Sequence, residues 1–242
     1  MERFGDLPLM YEPGSSWAYS AGIDWAGRLV ERLSHMTLEQ YMQEHIFRPL
    51  GITSFTFWPY ENADLRNKIP QLTTRTPDGQ LAAFDQPSLN TGLVDCLGGQ
   101  GLYGPMLEYR EILHSILADD GRLLKPEMRA TMFQPQLSAE AKKALRAFVG
   151  TPAGAAFIGE WKREWDVDWG LGGILLMQDG DGRRKKGTLS WGGIANTFWL
   201  IDPSADLALA FGTQVIPPGD PGVEEVITIV EKATYRQMGV TF

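Results

Sequence analysis

The sequence is poor in the residues that cross-link a fold or bind metal ions. It has 242 residues but one cysteine, Cys96, so it can form no internal disulfide. The three histidines, His35, His45 and His114, lie far from one another and from Cys96, and we predict no metal site. A lone cysteine is typical of a reducing compartment, and we therefore expect a cytoplasmic protein.

Long apolar runs and an excess of basic charge are also missing. No run approaches the roughly 20 apolar residues of a membrane-spanning helix, and Met1 to Asp6 contain no apolar signal core. There are 30 acidic and 22 basic residues, which gives a net charge of −8. The one basic cluster, Arg183-Arg184-Lys185-Lys186, has the pattern of a solvated turn. We expect neither a membrane nor a nucleic acid as a partner.

What remains is an ordinary globular composition, with 43% apolar and 21% charged residues. In the first 150 residues, apolar side chains recur at helical spacing. Thr37-Leu38-Glu39-Gln40 fits a capping box that begins a helix ended by Pro49 and Gly51. The other helices predicted here span 23–33, 106–117, 126–133 and 139–148.

The last third of the chain has the pattern of an antiparallel sheet. Short β-favouring runs at 188–191, 197–201 and 207–211 are separated by turn formers, and 169–178 reads as one further strand. Apolar residues from Val223 to Val230 predict a closing helix. We therefore predict an α+β fold and a single domain over 1–242, with a mostly helical part at 1–150 and a sheet plus C-terminal helix at 165–242.

Two glycine-rich stretches are candidates for contact with a ligand. Gly192-Gly193 ends a strand, where glycines either make a bend or let a ligand oxygen reach backbone N–H groups. Sequence alone leaves both readings open. Around Gly98-Gly99-Gln100-Gly101 no Gly-Lys-Ser/Thr follows, so a structural turn is favoured over a phosphate-binding loop.

Five short motifs occur in one order between residues 13 and 203. They are Pro13-Gly14-x-x-Trp17-x-Tyr19-Ser20, Glu44-x-Ile46-Phe47-x-Pro49-Leu50-Gly51-Ile52, Gly98-Gly99-Gln100-Gly101-Leu102, Gly187-x-x-x-Trp191-Gly192-Gly193 and Ile201-Asp202-Pro203. Together they resemble the serine β-lactamase-like superfamily, which includes class C β-lactamases, penicillin-binding transpeptidases, esterases and acyltransferases. Within it, the chain most resembles the fungal lovastatin side-chain transesterase type of acyltransferase.

The resemblance implies a site made of Tyr19 and the strand end at 191–194. Tyr19 matches the family's catalytic tyrosine, whose phenol moves a proton between the serine nucleophile and the leaving group. An ordinary tyrosine has a pKa of about 10, so this role needs a nearby cation, which the family supplies as a lysine. Trp191, Gly192, Gly193 and Ile194 match the strand that binds substrate and supplies one N–H of the oxyanion hole. We therefore expect Tyr19 to face residues 191–194 across a cleft.

Two departures from the family pattern bear on the substrate. Trp191 replaces the lysine that recognises a substrate carboxylate, and a neutral indole cannot do so. Ala21 replaces the asparagine that binds the substrate amide. Both changes favour a small-molecule ester or a carrier-bound acyl thioester over a β-lactam or peptidoglycan, and the resemblance implies no cofactor.

The third departure concerns the nucleophile. The family carries it in Ser-x-x-Lys, and none of the serines here has lysine three residues later. The resemblance thus implies that an N-terminal segment with the serine, the lysine and the first strands is missing. We expect an inactive chain with an exposed sheet edge that favours self-association. One alternative is a non-catalytic remnant that binds an apolar ligand or a partner protein in a groove lined by Trp17, Trp25 and Trp58; another is a second chain that brings the serine.

Overall fold

The computed structural model describes residues 8–86, 90–157, 162 and 164–239. Its helices are α1 (Gly22–Ser34), α2 (Leu38–Met42), α3 (Arg48–Leu50), α4 (Ala63–Arg66), α5 (Met106–Ala118), α6 (Pro126–Met132), α7 (Ala139–Val149), α8 (Pro152–Ala155) and α9 (Pro221–Gln237). Its strands are β1 (Thr73–Arg75), β2 (Leu81–Ala83), β3 (Val167–Trp169), β4 (Ile174–Leu176), β5 (Leu189–Gly192), β6 (Phe198–Asp202), β7 (Leu207–Phe211) and β8 (Val215–Ile216). A π-helical turn, Gln43–Phe47, joins α2 to α3.

The helices predicted at 23–33, 106–117, 126–133 and 139–148 are present as α1, α5, α6 and α7, with ends within one residue of those expected. The predicted C-terminal helix is present as α9 but continues seven residues beyond Val230. The capping box at α2 is complete, because the Gln40 N–H donates to Thr37 Oγ1 and the Thr37 N–H donates to Gln40 Oε1. Gly51 ends α3 in the left-handed conformation, with φ 71°. The α+β class is therefore confirmed in its helical part.

Five antiparallel strands form the main sheet, in the order β3-β4-β5-β6-β7. The order follows the chain because each strand returns beside its predecessor through a short connection. Trp191 of β5 pairs with Trp199 of β6, and Leu200 pairs with Leu209 of β7. The turn between β6 and β7 is held by Asp202, whose Oδ1 accepts the N–H groups of Ser204 and Ala205.

The single strand predicted over 169–178 is wrong. The chain forms β3 and β4 there, joined by a turn in which the Gly170 N–H donates to the Gly173 carbonyl at 2.9 Å. Gly172 takes a φ of 105°, which few residues other than glycine adopt. All of Ile174, Leu175 and Leu176 are buried. With both faces covered, β4 lacks the apolar–polar alternation that would have revealed its limits.

Within the polar stretch before residue 90, β1 and β2 form a hairpin around Pro77-Asp78-Gly79, and β8 pairs with β1 in parallel. This three-stranded sheet ties an early segment to the segment that precedes α9. An ion pair strengthens the link, since Arg75 donates from Nε and Nη2 to the two Asp220 carboxylate oxygens at 2.7 and 2.8 Å.

Two apolar clusters pack opposite ends of the main sheet. Next to β6 and β7, α9 contributes Val223, Ile227 and Tyr235. Next to β3 and β4, α7 contributes Leu145 and Val149. The predicted packing of the C-terminal helix on the sheet is therefore confirmed.

The prediction of a solvated turn at the four basic residues is wrong for its two arginines. Arg183 and Arg184 are 3% and 0% exposed, and both donate to Glu231 on α9, which is itself fully buried. Arg184 binds both carboxylate oxygens and also lies over the Phe198 ring, 5.1 Å from its centroid. The buried Glu231 carboxylate binds both guanidinium groups in the protein interior. The charge pattern of residues 183–186 does not show this, because Glu231 is distant from them in sequence.

Two general features bear on function. Among the described residues, no helix combines the length and apolar character needed to cross a membrane. The same part of the chain holds no group of three or more His, Cys, Asp or Glu side chains placed to bind a metal ion.

Candidate active site

Tyr19 and Trp191, predicted to face one another, lie in contact. Tyr19 is in the irregular segment just before α1, and its ring centroid is 5.8 Å from that of Trp191 on β5. Tyr19 remains 54% exposed, so one side of the phenol is open to solvent. The structure thus brings the predicted proton carrier beside the predicted substrate-binding strand, although 172 positions separate them in the chain.

Four further aromatic rings lie around this contact. We call the six rings together the aromatic wall: Trp17, Tyr19, Phe148, Phe157, Trp169 and Trp191. The Phe157 ring is almost parallel to Trp191, at 7° and 5.9 Å between centroids. Trp169 meets Trp191 edge-on at 4.8 Å. Tyr19 lies 5.4 Å from Phe157 and 6.2 Å from Phe148. The wall joins α7 and the segment after α8 to the sheet.

Sequence reasoning did not identify Phe148 and Phe157 as site residues. Phe148 is in the last turn of α7, and the sequence predicted only the helix that it ends. Phe157 follows α8 in a stretch without clear periodicity. No local signal pointed to either residue, because both reach the site through tertiary contacts.

The backbone donors at 192–194 are not equivalent. The Gly193 N–H donates to the Thr197 carbonyl at 2.9 Å and closes the β5–β6 turn, so it is not free for a substrate oxygen. Among the described residues, no hydrogen bond uses the Ile194 N–H. Ile194 is the second residue of a turn that the Asn196 N–H closes by donating to the Gly193 carbonyl at 3.0 Å, and that bond leaves the Ile194 N–H unused. The geometry therefore favours Ile194 over Gly193 as a donor to an oxyanion.

The sequence left open whether Gly192 makes a bend or lets a ligand oxygen reach the backbone. In the structure, other backbone atoms of the protein approach Gly192 closely. A Cβ atom on Gly192 would lie 2.5 Å from the Phe157 carbonyl oxygen and 2.9 Å from that of Thr197. A Cβ atom on Gly193 would collide with the Thr197 hydroxyl. Gly192 is therefore required sterically, because both neighbours are backbone oxygens. It lets the segment that carries Phe157 lie against β5, which sets the position of the wall.

Asn196 holds the turn that carries these donors. Its side chain is buried at 4% exposure and its φ is 52°, a left-handed conformation that asparagine tolerates. Its Oδ1 accepts the N–H groups of Gly219 and Asp220, and its Nδ2 donates to the carbonyls of Val215 and Pro217. The turn is thus fixed to the segment before α9. Its place two residues after Ile194 was a visible signal that sequence reasoning did not use.

The described residues supply only part of a catalytic site. In the described part of the chain, the Tyr19 hydroxyl takes part in no hydrogen bond or ion pair. The Tyr19 ring contacts Phe148, Phe157 and Trp191. No serine is followed by lysine three residues later. This arrangement can hold an apolar group beside a phenol and a free N–H, but it contains no activated nucleophile.

The glycine loop at 98–101 has the structural role that sequence favoured. The Gly99 N–H donates to Asp24 Oδ1 on α1 at 2.8 Å, and Leu97 forms a bridge with Gln100. A side chain at Gly98 would collide with the carbonyl of Ile23. The loop packs against α1 and is not arranged around a phosphate.

A separate groove of about 710 Å³ lies beside α2 and contains none of the predicted site residues. It is lined by Met36, Thr37, Glu39, Gln40, Gln43, Glu44, Arg48 and Trp58. Trp17 belongs to the aromatic wall, whereas Trp58 lines this groove and packs with Leu38, Phe57 and Cys96. The groove of Trp17, Trp25 and Trp58 stays a prediction. We place the candidate site at Tyr19, since the groove at α2 contains none of the residues that match the family's catalytic tyrosine and substrate-binding strand.

Comparison with curated proteins finds relatives that act on acyl groups. The chain is 36% identical over 233 residues to the monacolin J acid methylbutanoyltransferase of Aspergillus terreus, covering 95% of this chain and 56% of that protein. It is 38% identical over 222 residues to the lovastatin esterase of Penicillium rubens, covering 91% and 56%. The chain therefore spans little more than half the length of either relative.

Solved structures give the same fold. The unliganded simvastatin synthase LovD from Aspergillus terreus superposes with a TM-score of 0.91 at 36% identity, covering 98% of this chain and 60% of that one. The Beta-lactamase family profile matches residues 1–233. With its helices, its antiparallel sheet and its motif order all accounted for, the chain belongs to the β-lactamase family.

Proposed function

We propose that this chain is part of a β-lactamase-family enzyme that transfers or hydrolyses the acyl group of a neutral ester or acyl thioester. The observation that carries the proposal is the contact between Tyr19 and Trp191 next to the free Ile194 N–H. The relatives named above, an acyltransferase and an esterase, support the same class of reaction. We further propose that these 242 residues alone are inactive, because they contain no Ser-x-x-Lys.

In the proposed reaction, a serine hydroxyl outside these residues attacks the acyl carbonyl carbon, and its proton passes to the Tyr19 oxygen, which a lysine of the same outside segment would hold as the phenolate. The carbonyl oxygen becomes an oxyanion that accepts a hydrogen bond from the Ile194 N–H. When the bond to the leaving group breaks, Tyr19 returns the proton to the departing alkoxide or thiolate. The acyl-serine then passes its acyl group to an alcohol or to water, with Tyr19 in the same role.

The neutral substrate class follows from the chemistry around Tyr19. Trp191 presents an indole where a lysine would bind a carboxylate, and its ring neighbours are aromatic. A carboxylate placed against these rings would lose hydration without gaining an ionic partner. A small apolar ester or a carrier-bound thioester avoids this loss.

The test of Tyr19 uses the chain extended upstream by a Ser-x-x-Lys-bearing segment from one of its curated relatives. We expect the extended chain to hydrolyse a p-nitrophenyl ester and to react with a fluorophosphonate probe. Tyr19→Phe should lower kcat by about 100-fold or more, the usual contribution of a general acid–base group. Tyr11→Phe is the matched control, since Tyr11 lies on the same exposed segment outside the aromatic wall. Unchanged turnover in Tyr19→Phe would end the assignment.

The second candidate function is a non-catalytic remnant that binds a small apolar ligand or a partner protein. The absence of Ser-x-x-Lys from the sequence favours it. The same extended chain separates the two candidates. If it folds and still fails to react with the fluorophosphonate probe, the remnant becomes the better description.

A further inference from the structure

Phe148 and Phe157 extend the site beyond the residues that the sequence motifs mark. We propose that these two rings, together with Trp191, form the subsite for the apolar acyl chain of the substrate, and that they set which acyl chain lengths bind. The proposal rests on the ester-acting function proposed above and assigns Phe148 and Phe157 as specificity-determining residues.

Ring geometry gives the subsite its shape. Phe157 and Trp191 are almost parallel and stack on each other, with their centroids 5.9 Å apart. Tyr19 is inclined by 32° to Phe157 and by 39° to Trp191, so the phenol borders this pair of rings. Phe148 stacks on Tyr19 at 20° and 6.2 Å and extends the apolar surface on that side. An acyl chain lying on these rings would hold its carbonyl group near Tyr19.

Phe157 is not needed to fill the core. Phe148 and the three tryptophans of the aromatic wall pack against the cluster of Leu145, Val149 and Trp165 and so also have a structural role. Phe157 belongs to none of the core clusters formed by the described residues, and its ring contacts there are with Tyr19 and Trp191. Its ring is partly exposed. A partly exposed aromatic ring held parallel to a site residue is suited to contact with a ligand.

The charge of the subsite selects an uncharged ligand. The cation–ring contacts of the described residues are at Phe133 and Phe198, away from the aromatic wall. An acyl chain gains affinity by covering the rings, whereas a free carboxylate in the same place would be desolvated without a partner. The expected ligand is therefore the neutral ester of a short or medium-length fatty acid.

The experiment titrates the chain as it stands with ethyl acetate, ethyl butanoate and ethyl hexanoate, and follows binding by saturation-transfer difference NMR. We expect affinity to rise about twofold to fourfold per methylene, the range from half to full burial of each group. Phe157→Ala and Phe148→Ala should each flatten this dependence and weaken ethyl hexanoate binding by about tenfold. Sodium hexanoate should bind at least about tenfold more weakly than ethyl hexanoate.

Phe133→Ala is the matched control and should change neither affinity nor its dependence on chain length. Phe157→Leu keeps an apolar side chain without the flat ring, so it should lose part of the affinity even if Phe157→Ala folds poorly. An unchanged chain-length dependence in the folded Phe157 and Phe148 variants would overturn the subsite and leave the proposed function standing. A parent chain that binds none of the esters would contradict the proposed function itself, and the subsite with it.

Discussion

Glu231 is a buried carboxylate that binds two buried arginine side chains. It is fully buried on α9 and accepts hydrogen bonds from Arg183 and Arg184 at 2.7 to 2.8 Å. Close by, Tyr235 donates to Asp202 at 2.7 Å. Burial and the adjacent Asp202 carboxylate raise the pKa of Tyr235, so its hydroxyl remains a donor. These contacts hold α9 against the sheet. Because the charged groups are buried, removing one partner would lower the free energy of unfolding.

We expect Glu231→Gln to lower the free energy of unfolding by about 3–5 kcal/mol, because it leaves two buried guanidinium groups without their carboxylate. Urea unfolding followed by far-UV circular dichroism measures this change. Glu225→Gln is the control, since Glu225 is exposed on the same helix and should change stability by less than about 0.5 kcal/mol. Equal effects of the two substitutions would show that the buried pair carries no net stabilisation.

At the scale of elements, helix α9 begins at an ion pair between two residues that are distant in sequence, Asp220 and Arg75 on β1. Asp220 is the N-cap of α9, and its Oδ1 accepts the Val223 N–H at 3.0 Å. The Arg75 guanidinium beside it is the main cause that holds the Asp220 pKa below its ordinary value of 3.8. A carboxylate with a lowered pKa in the folded state adds stability above the unfolded-state pKa and loses it as pH falls through the folded-state value.

We therefore expect Asp220→Asn to be less stable than the parent chain at pH 7 and to approach it as pH falls from about 4 toward 2. Asparagine is also a good N-cap, so the substitution isolates the charge. Urea midpoints at several pH values test this, with Asp64→Asn as an exposed control on α4. A difference between Asp220→Asn and the parent that is as large at pH 2.5 as at pH 7 would rule out the ion pair as its cause.

Helix α1 has its apolar side turned outward. Trp25, Leu29 and Leu33 are 41%, 58% and 74% exposed. The inward side is small and mixed in character: Gly27 is buried and Val30 packs on the core, while Asp24 and Glu31 accept backbone N–H groups. An amphipathic helix normally buries its apolar side. The sequence predicted this helix and its two sides, but not which of them would face solvent.

At the scale of the whole molecule, an exposed apolar surface and an open sheet edge occur together. In the part of the chain that the structure describes, β7 pairs with β6 alone and ends the five-stranded sheet. Unpaired strand edges and exposed apolar patches both favour association between chains. The expectation of self-association from the sequence therefore stays a prediction, now with two kinds of candidate surface.

We expect the chain as given to bind a hydrophobic dye and to form oligomers at micromolar concentration. Replacing Leu29 and Leu33 together by Gln should reduce both, because the apolar side of α1 becomes polar while its buried contacts remain. Sedimentation equilibrium and dye fluorescence measure the two effects. An unchanged oligomer in this variant would point to an edge of the five-stranded sheet, at β7 or β3. A monomeric parent without dye binding would refute self-association.

Local patterns in the sequence determined much of this protein. Apolar spacing, the capping box at Thr37 and turn residues such as Asp202 placed the main helices and most strands, because each depends on neighbours a few positions away. The ordered motifs also pointed to Tyr19 and to the strand end at Trp191. The single-domain prediction and the catalytic role of Tyr19 stay predictions.

Only the tertiary structure decided how these parts meet. It buried Arg183 and Arg184 against Glu231, used the Gly193 N–H within the β5–β6 turn, and brought Phe157 beside Trp191. Each of these outcomes depends on which distant segment approaches. Spacing along the chain carries information about contacts one turn or one strand away, whereas burial and ring stacking are set by surfaces that the folded chain alone brings together.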